Sequence, residues 1–251
     1  GRAVVKLDVY FTPGELAGVE LPARIVVVDV LRATSTVVEA LANGARAVFP
    51  VATADDAARI AQNVGRDSVL LCGERKGLPI DGFDLGNSPL EFNAEKVADM
   101  SLVMTTTNGT RAFLTVMERR GGKGDPDASQ ILAGSFLNLG AVVRRLASSE
   151  DPAAVVCAGR EGRFALEDAI CAGALVAGLK AEGLELEEND GASAGETLAE
   201  RYLDRLPRTL ARTVAGQQLR SIGREEDVTF CGTVDWTAVV PRLRDRKITL
   251  E

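Results

Sequence analysis

An acid, an arginine and three hydroxyl side chains stand together where one strongly apolar run of the chain ends. The run over residues 24–30 predicts a buried strand, which carries Asp29 near its end and is followed by Arg32 and by the hydroxyls of residues 34–36. A helix predicted over residues 34–43 begins at these hydroxyls. Because strands that lead into helix N-termini form anion sites, the carboxylate and the guanidinium suit a metal ion and a phosphate. A simpler interpretation is that the hydroxyls only cap the helix while Asp29 pairs with Arg32.

Four further apolar runs end in the same manner, in small, polar or charged residues. They lead into residues 73–77, 105–111, 134–138 and 158–168. These junctions carry the carboxylates Glu74, Glu161 and Asp168 and the arginines Arg75, Arg160 and Arg163. Because ligands bind beyond the carboxyl ends of the strands in an open α/β sheet, the five junctions indicate one shared site.

The elements that must position these junctions alternate between strands and helices. Further strands are predicted over residues 4–10 and 47–51, and further helices over 53–62, 108–117, 136–146 and 166–179. This alternation predicts a mostly parallel or mixed sheet in a three-layer α/β/α fold, with the site at the carboxyl ends of the strands. With 251 residues, of which 46% are hydrophobic, the chain fits a single domain over residues 1–251, built as one unit or as two closely packed subdomains.

Several segments are predicted to lie outside this alternation. A loop is predicted over residues 77–89, a turn over 121–126 and a solvated acidic loop over 182–191. Residues 192–219 are predicted to be helical with an interruption at Pro207, and a final strand is predicted over 227–231, before a basic tail. The helix over residues 166–179 carries mostly small side chains, which permit close packing against another helix or against a second copy in a homo-oligomer.

Charge and composition exclude several classes of function. The formal net charge of −7 disfavours nucleic-acid binding, which uses basic surfaces. No apolar run is long enough to span a membrane, and no secretory signal is visible. The four cysteines form no C-x-x-C pair, so reduced, buried thiols and a cytoplasmic location are expected.

The sequence contains no histidine, which limits the chemistry of any site. Ser-His-Asp and Cys-His arrangements and His-ligated zinc are excluded. Hydrolysis must then depend on carboxylates, cationic side chains, hydroxyls, thiols or a metal held by oxygen atoms, for which Mg²⁺ is the natural candidate. A nucleotide-dependent oxidoreductase would need a glycine fingerprint that is missing here. A non-catalytic anion-binding protein would keep the arginines and need fewer carboxylates.

Taken together, the junction motifs resemble those of the 2-phosphosulfolactate phosphatase family. The motifs are Asp29-Val-Leu-Arg-Ala-Thr-Ser-Thr36, Gly73-Glu-Arg75, Gly82-Phe-Asp-Leu-Gly-Asn-Ser-Pro89, Thr106-Thr-Asn-Gly-Thr110, Gly134-Ser-Phe-Leu-Asn138, Cys157-Ala-Gly159 and Phe164-Ala-Leu-Glu-Asp168. The residues 227–231 and the pair Val240-Pro241 are also similar. The resemblance covers essentially the whole chain in the family's order.

The resemblance implies a Mg²⁺-dependent acid phosphatase with a small anionic phosphoester as its substrate. The reaction would convert 2-phospho-3-sulfolactate to 3-sulfolactate and phosphate, a step toward coenzyme M. Other small 2-phospho-hydroxy acids remain alternative substrates, because an arginine binds a sulfonate and a carboxylate in the same manner.

Roles for individual residues are hypotheses at this stage. We expect Asp29, Glu74, Glu161 and Asp168 to supply metal ligands, with catalysis by Asp29, Arg32, Glu74 and Glu161. We expect the substrate to contact Arg75, Thr106, Asn108, Gly109, Thr110, Arg160 and Arg163. Structural salt bridges are the alternative for the arginines, and a plain helix cap is the alternative for residues 106–110. Attack by water and formation of an aspartyl-phosphate at Asp29 both remain open.

Overall fold

Eleven strands form one mixed sheet in the computed structural model, which describes residues 4–120 and 130–250. The strands are β1 Val4–Tyr10, β2 Arg24–Val28, β3 Ala47–Pro50, β4 Val69–Arg75, β5 Leu78–Pro79, β6 Ser101–Thr105, β7 Gln130–Gly134, β8 Ala153–Cys157, β9 Glu185–Glu188, β10 Arg242–Arg244 and β11 Lys247–Thr249. Their order across the sheet is β5-β4-β6-β3-β11-β10-β7-β2-β8-β1-β9. The α/β class predicted from the sequence is confirmed.

Helices connect most of the strands. They are α1 Ala33–Ala42, α2 Ala54–Val64, α3 Ala94–Val97, α4 Gly109–Arg120, α5 Leu139–Ala147, α6 Leu166–Ala181, α7 Asp190–Tyr202, α8 Leu206–Leu210, α9 Val214–Ser221 and α10 Glu225–Cys231. Helix α2 has the N-cap and the first-turn acids that its sequence predicts. The N-cap of α2 is Thr53, whose hydroxyl accepts the Asp56 N–H at 3.0 Å, and acids occupy the first turn of this helix.

The central strand β2 separates two hydrophobic cores, as the period-two alternation of a strand requires. Val26 and Val28 pack into the core formed with α5, α6 and α7, whereas Ile25 and Val27 pack into the core formed with α1 and α4. Helices therefore cover both faces of the sheet, as a three-layer α/β/α arrangement demands.

Two parallel sections of the sheet are joined by an antiparallel hairpin. One section contains β4, β6 and β3, and the other contains β7, β2, β8, β1 and β9. The hairpin β10–β11 pairs antiparallel with β7 on one side and with β3 on the other. Three successive antiparallel pairings give the sections opposite directions along the sheet. Strand twist accumulates over a sheet of this width. The ends of β4 and β6 in one section and of β2 and β8 in the other contribute to the same cavity.

The prediction of a final strand over residues 227–231 is wrong, because these residues lie in α10. Three acids in its first turn favour a helix N-terminus. Val228 and Cys231 stand three residues apart and are both buried, which is the spacing of one helix face. A segment of five residues is too short to distinguish the period of a strand from that of a helix.

The segments predicted as an acidic loop and a basic tail both contain strands. In the acidic segment, β9 is an edge strand that pairs with β1. In the tail, Leu243 and Ile248 are buried between charged neighbours. The hairpin turns at Asp245 and Arg246, both with positive φ, which suits the twist of the paired strands. In both segments the charged residues outnumber the buried ones and conceal the strand pattern.

The small side chains of α6 are used for packing inside the chain. A Cβ added at Gly173 would overlap the backbone carbonyl of Gly195 in α7, so these two helices approach at backbone distance. This contact accounts for the small residues, which therefore no longer support a homo-oligomer. A homo-oligomer stays a prediction without that support.

The remaining segments agree in part with expectation. The predicted loop over residues 77–89 contains the short strand β5 and ends at a 3₁₀ turn, Pro89–Glu91. The predicted turn over residues 121–126 lies outside the described residues. All four cysteines are free and buried. Across residues 4–120 and 130–250, no helix has the length and apolar character needed to cross a membrane.

Candidate active site

Four of the five predicted junctions meet at one polar cavity of about 60 Å³. Its lining comes from the ends of β2, β4, β6 and β8 and from helices α6 and α9. The lining residues are Asp29, Leu31, Arg32, Glu74, Lys76, Gly77, Asn87, Thr107, Asn108, Gly159, Arg160, Glu161, Glu167, Asp168, Ala215, Gln218 and Leu219. The junction after β7 is absent from this set, because Ser135 and Asn138 form a capping box there.

Asp29 follows β2 directly and is held by its own turn. Its N–H donates to the Thr34 hydroxyl at 2.9 Å, and that hydroxyl donates back to the Asp29 carbonyl at 2.9 Å. The hydroxyls after β2 thus fix the backbone at the site rather than face a ligand. Burial, followed by the nearby charges of Glu74 and Glu167, raises the pKa of Asp29 from 3.8 to about 7.

Gly109 places the N-terminus of α4 against this carboxylate. A Cβ at position 109 would lie 2.7 Å from Asp29 Oδ2, which is closer than packed atoms approach. Gly109 was predicted to bind substrate, but it is not among the residues that line the cavity. Its lack of a side chain leaves room for the carboxylate.

Arg32 pairs with Asp227 of α10 and not with Asp29. Arg32 Nη1 donates to Asp227 Oδ2 at 2.7 Å, and the side chains are only 3% and 2% exposed. Ser88 Oγ donates to the other carboxylate oxygen at 2.6 Å, and Arg32 Nη2 donates to the Gly77 carbonyl at 2.9 Å. Asp227 was not among the predicted site residues, although its segment resembles that of the family, because this segment was predicted to be a strand.

Glu74 connects two of the loops around the cavity. Glu74 Oε1 accepts the Thr107 N–H at 2.6 Å, and Oε2 accepts the Gly77 N–H at 2.7 Å. Both carboxylate oxygens are therefore engaged by backbone donors. This arrangement suits a residue that holds the β4 and β6 loops together more than a residue with a free carboxylate for a metal ion.

Two adjacent acids at the start of α6 face the cavity from the β8 side. Asp168 Oδ1 accepts the Val30 N–H at 2.9 Å and Oδ2 accepts the Gly159 N–H at 3.1 Å, which ties α6 to the ends of β2 and β8. Burial, followed by the charges of Asp29 and Glu167, raises the pKa of Asp168. Burial also raises the pKa of Glu167. Glu167 was not among the predicted site residues, although it precedes Asp168 in the same motif.

A tight turn after β8 presents a cation and an acid. Arg160 and Arg163 exchange backbone hydrogen bonds, and both central residues, Glu161 and Gly162, have positive φ, as a hairpin turn of this type requires. Arg160 Nη2 donates to Gln218 Oε1 at 2.5 Å. Glu161 is exposed at the cavity rim, and its N–H donates to Asn108 Oδ1 at 2.8 Å.

Four other residues predicted to bind substrate lie outside the cavity lining: Arg75, Thr106, Thr110 and Arg163. Thr106 and Thr110 satisfy each other's backbone, since each N–H donates to the other's hydroxyl. They form the plain helix cap that was the alternative interpretation. The Arg75 guanidinium donates to Thr105 Oγ1 at 2.9 Å and to the Glu74 carbonyl. The side chain of Arg163 is exposed.

The oxygen donors of the cavity decide whether it can hold Mg²⁺. No cluster of three or more His, Cys, Asp or Glu side chains suited to a metal ion occurs in the described parts of the chain. Mg²⁺ needs fewer, because it commonly uses one or two protein oxygens together with water and substrate phosphate. The cavity offers the Asp29 carboxylate and the buried Asn87 Oδ1, which has no hydrogen-bond partner among the described residues. These two oxygens fit such a site.

Comparison with known proteins identifies the family. A family model described as 2-phosphosulpholactate phosphatase matches residues 10–246. A protein of Thermotoga petrophila named probable 2-phosphosulfolactate phosphatase is 46% identical over 222 residues, which cover 87% of this chain and 88% of that protein. A protein of Clostridium beijerinckii with the same name is 32% identical over 249 residues, which cover 98% of this chain and 100% of that protein. The chain therefore belongs to the 2-phosphosulfolactate phosphatase family.

Proposed function

We propose that this chain hydrolyses 2-phosphosulfolactate to sulfolactate and inorganic phosphate, with Mg²⁺ as its cofactor. The single observation that carries the proposal is the cavity itself, which brings Asp29 together with three cationic side chains, Arg32, Lys76 and Arg160. The family membership of the chain supplies the reaction class and the substrate. The role of the reaction as a step toward coenzyme M is part of the same proposal.

The proposed substrate is strongly anionic, so its binding requires positively charged side chains, which the cavity provides. Phosphoryl transfer needs mainly positioning and charge neutralisation. Arg32 is fixed by Asp227 and by the Gly77 carbonyl, so its guanidinium is rigid, but its charge is balanced by that carboxylate. Lys76 and Arg160 therefore carry the larger part of the uncompensated positive charge at the cavity, whereas Arg32 and the bound Mg²⁺ would neutralise the reacting phosphate.

Asp29 is the residue that we place at the reacting phosphate. In the metal-free protein the pKa of Asp29 is about 7, and a bound cation would lower it, so that the ionised carboxylate could orient the attacking water and accept its proton. The same carboxylate could instead attack phosphorus and form an aspartyl-phosphate. The second Asp found two residues later in haloacid-dehalogenase phosphatases is replaced here by Leu31, which weakens this second route.

Asp29 and Asn87 would hold Mg²⁺ in this proposal. When bound, the ion would neutralise the phosphate oxygens and favour the ionised form of the buried Asp29 carboxylate. Glu74 and Asp168, also proposed as ligands from the sequence, have both carboxylate oxygens occupied by backbone N–H groups. We assign them to positioning the loops. Glu161 at the rim stays a candidate for the general acid.

The test is release of phosphate from 2-phosphosulfolactate, measured with Mg²⁺ and with EDTA. We expect release that depends on the metal and that falls by about 10²–10⁴-fold in Asp29→Asn. The matched control Asp55→Asn changes an exposed carboxylate in the first turn of α2 and should leave turnover unchanged. Release from 2-phospholactate at an equal rate would replace the substrate assignment. Phosphate binding without turnover under any metal would favour an anion-binding protein.

A further inference from the structure

One glutamine joins two cationic segments at the cavity. Gln218 Oε1 accepts a hydrogen bond from Arg160 Nη2 at 2.5 Å, and Gln218 Nε2 donates to the Lys76 carbonyl at 3.1 Å. Lys76 follows β4 and Arg160 follows β8, so the two segments come from different sections of the sheet. A single side chain from α9 therefore holds them side by side.

The charges of Lys76 and Arg160 are not balanced by direct ion pairs. Within residues 4–120 and 130–250, neither forms a salt bridge with a carboxylate. Glu167 attracts Arg160 only at longer range. Arg32, the third cation at the cavity, is already paired with Asp227. A neutral partner such as Gln218 fixes the position of Arg160 without cancelling its charge, which a glutamate would do.

We propose that Lys76 and Arg160 form a subsite for the second anionic group of the substrate, its carboxylate or its sulfonate, and that Gln218 positions both. This inference rests on the proposed function, because a substrate whose only anionic group is its phosphate would not need a second anion subsite. Each cation offers charge-assisted hydrogen bonds to an oxyanion. Discrimination against a substrate that lacks the second anion then arises here and not at Asp29.

Gln218→Glu is the sharpest perturbation, since it conserves size, cancels the Arg160 charge and removes the donor to the Lys76 carbonyl. Loss of one charge-assisted interaction predicts a KM for 2-phosphosulfolactate raised about tenfold, with kcat within about twofold. For isopropyl phosphate, which carries no second anion, both constants should stay unchanged. Gln217→Glu adds the same charge at an exposed position on the same helix and is the matched control.

Two further substrates identify the group that is recognised. 2-Phospholactate retains the carboxylate and lacks the sulfonate, whereas 2-phosphooxypropane-1-sulfonate retains the sulfonate and lacks the carboxylate. The substrate whose KM rises in Gln218→Glu carries the group bound at the subsite. Equal losses with Gln217→Glu, or a fall in kcat for every substrate including isopropyl phosphate, would overturn the subsite.

Calorimetric binding separates this inference from the proposed function. If the unaltered protein releases no phosphate from any ester, the proposed function fails. The subsite is still supported if 3-sulfolactate binds and Gln218→Glu weakens that binding about tenfold while the affinity for inorganic phosphate is retained. Should Gln218→Glu not fold, Lys76→Met at an exposed side chain provides the same comparison. Unchanged affinity for 3-sulfolactate in the folded variants refutes the subsite.

Discussion

Replacing Asp29 by asparagine should stabilise the metal-free protein while it abolishes activity. The Asp29 side chain is buried, and the pKa of its carboxyl rises from 3.8 to about 7. The native state therefore resists ionisation, while the unfolded chain ionises at its ordinary pKa. The contribution of Asp29 to stability is therefore fully present below about pH 4 and is lost as the pH rises through 7, above which the carboxylate is charged in both states. Asparagine has a similar shape and cannot ionise, so it escapes this loss.

The size of the effect follows from the two pKa values. Their difference corresponds to about 4 kcal/mol at pH 8, where both states are ionised, and to less than about 1 kcal/mol at pH 4. We expect the free energy of unfolding of Asp29→Asn to exceed that of the unaltered protein by up to this amount at pH 8. The excess should shrink steadily as the pH falls.

Urea unfolding in EDTA at pH 8, 6 and 4 measures the difference directly. The control is Asp55→Asn, which removes an exposed acid from the first turn of α2 and should lower stability slightly. Added Mg²⁺ should narrow the gap at pH 8, because a bound cation stabilises only the protein that keeps the carboxylate. The destabilising effect of the Asp29 charge is refuted if Asp29→Asn does not raise the free energy of unfolding at pH 8, or if it raises it equally at pH 4 and pH 8. Either result would mean that ionisation of the buried Asp29 does not destabilise the native state.

Three further substitutions test other parts of the site. Asp227→Ala leaves Arg32 buried without its partner and should lower the free energy of unfolding by about 3 kcal/mol, measured in urea. Gly109→Ala forces a Cβ against Ala33 Cβ and toward Asp29 Oδ2, at 2.7 Å before any shift, and should lower kcat more than about tenfold while the protein still folds by circular dichroism. Thr110→Val removes a buried cap away from the cavity, so it should cost about 1–2 kcal/mol in thermal unfolding and leave kcat/KM unchanged.

The strand-to-loop junctions were predictable because their signals are local. An apolar run that ends in Asp29 or Glu74 indicates a strand end directly, and strand ends from both sections of the sheet reach the cavity. The roles of the polar residues were less accessible. Thr106 and Thr110 have the composition of a phosphate loop, yet their hydroxyls satisfy nearby backbone groups, a choice that only the local geometry decides.

The residues that were missed come from outside the junctions. Asp227 on α10 lies 195 residues from Arg32, whose side chain it holds, and Gln218 on α9 lies 142 residues from Lys76, whose backbone carbonyl it binds. The resemblance over residues 227–231 did not indicate a role for Asp227, and α9 shows no motif, because a positioning residue needs only one correctly placed polar group. Asn87 lies in the motif over residues 82–89, but an asparagine is equally common in turns, so its residue type did not indicate a place in the cavity.

The hairpin β10–β11 has a consequence for how the chain folds during synthesis. Residues 242–249 come after all the other strands in the sequence, yet they fill the middle of the sheet between β3 and β7. Until the ribosome has released them, β3 and β7 expose two unpaired inner edges, which are surfaces prone to intermolecular strand pairing. The nascent protein therefore depends on very distant pairings for its last step, which favours slow completion and a need for protection from aggregation during that interval.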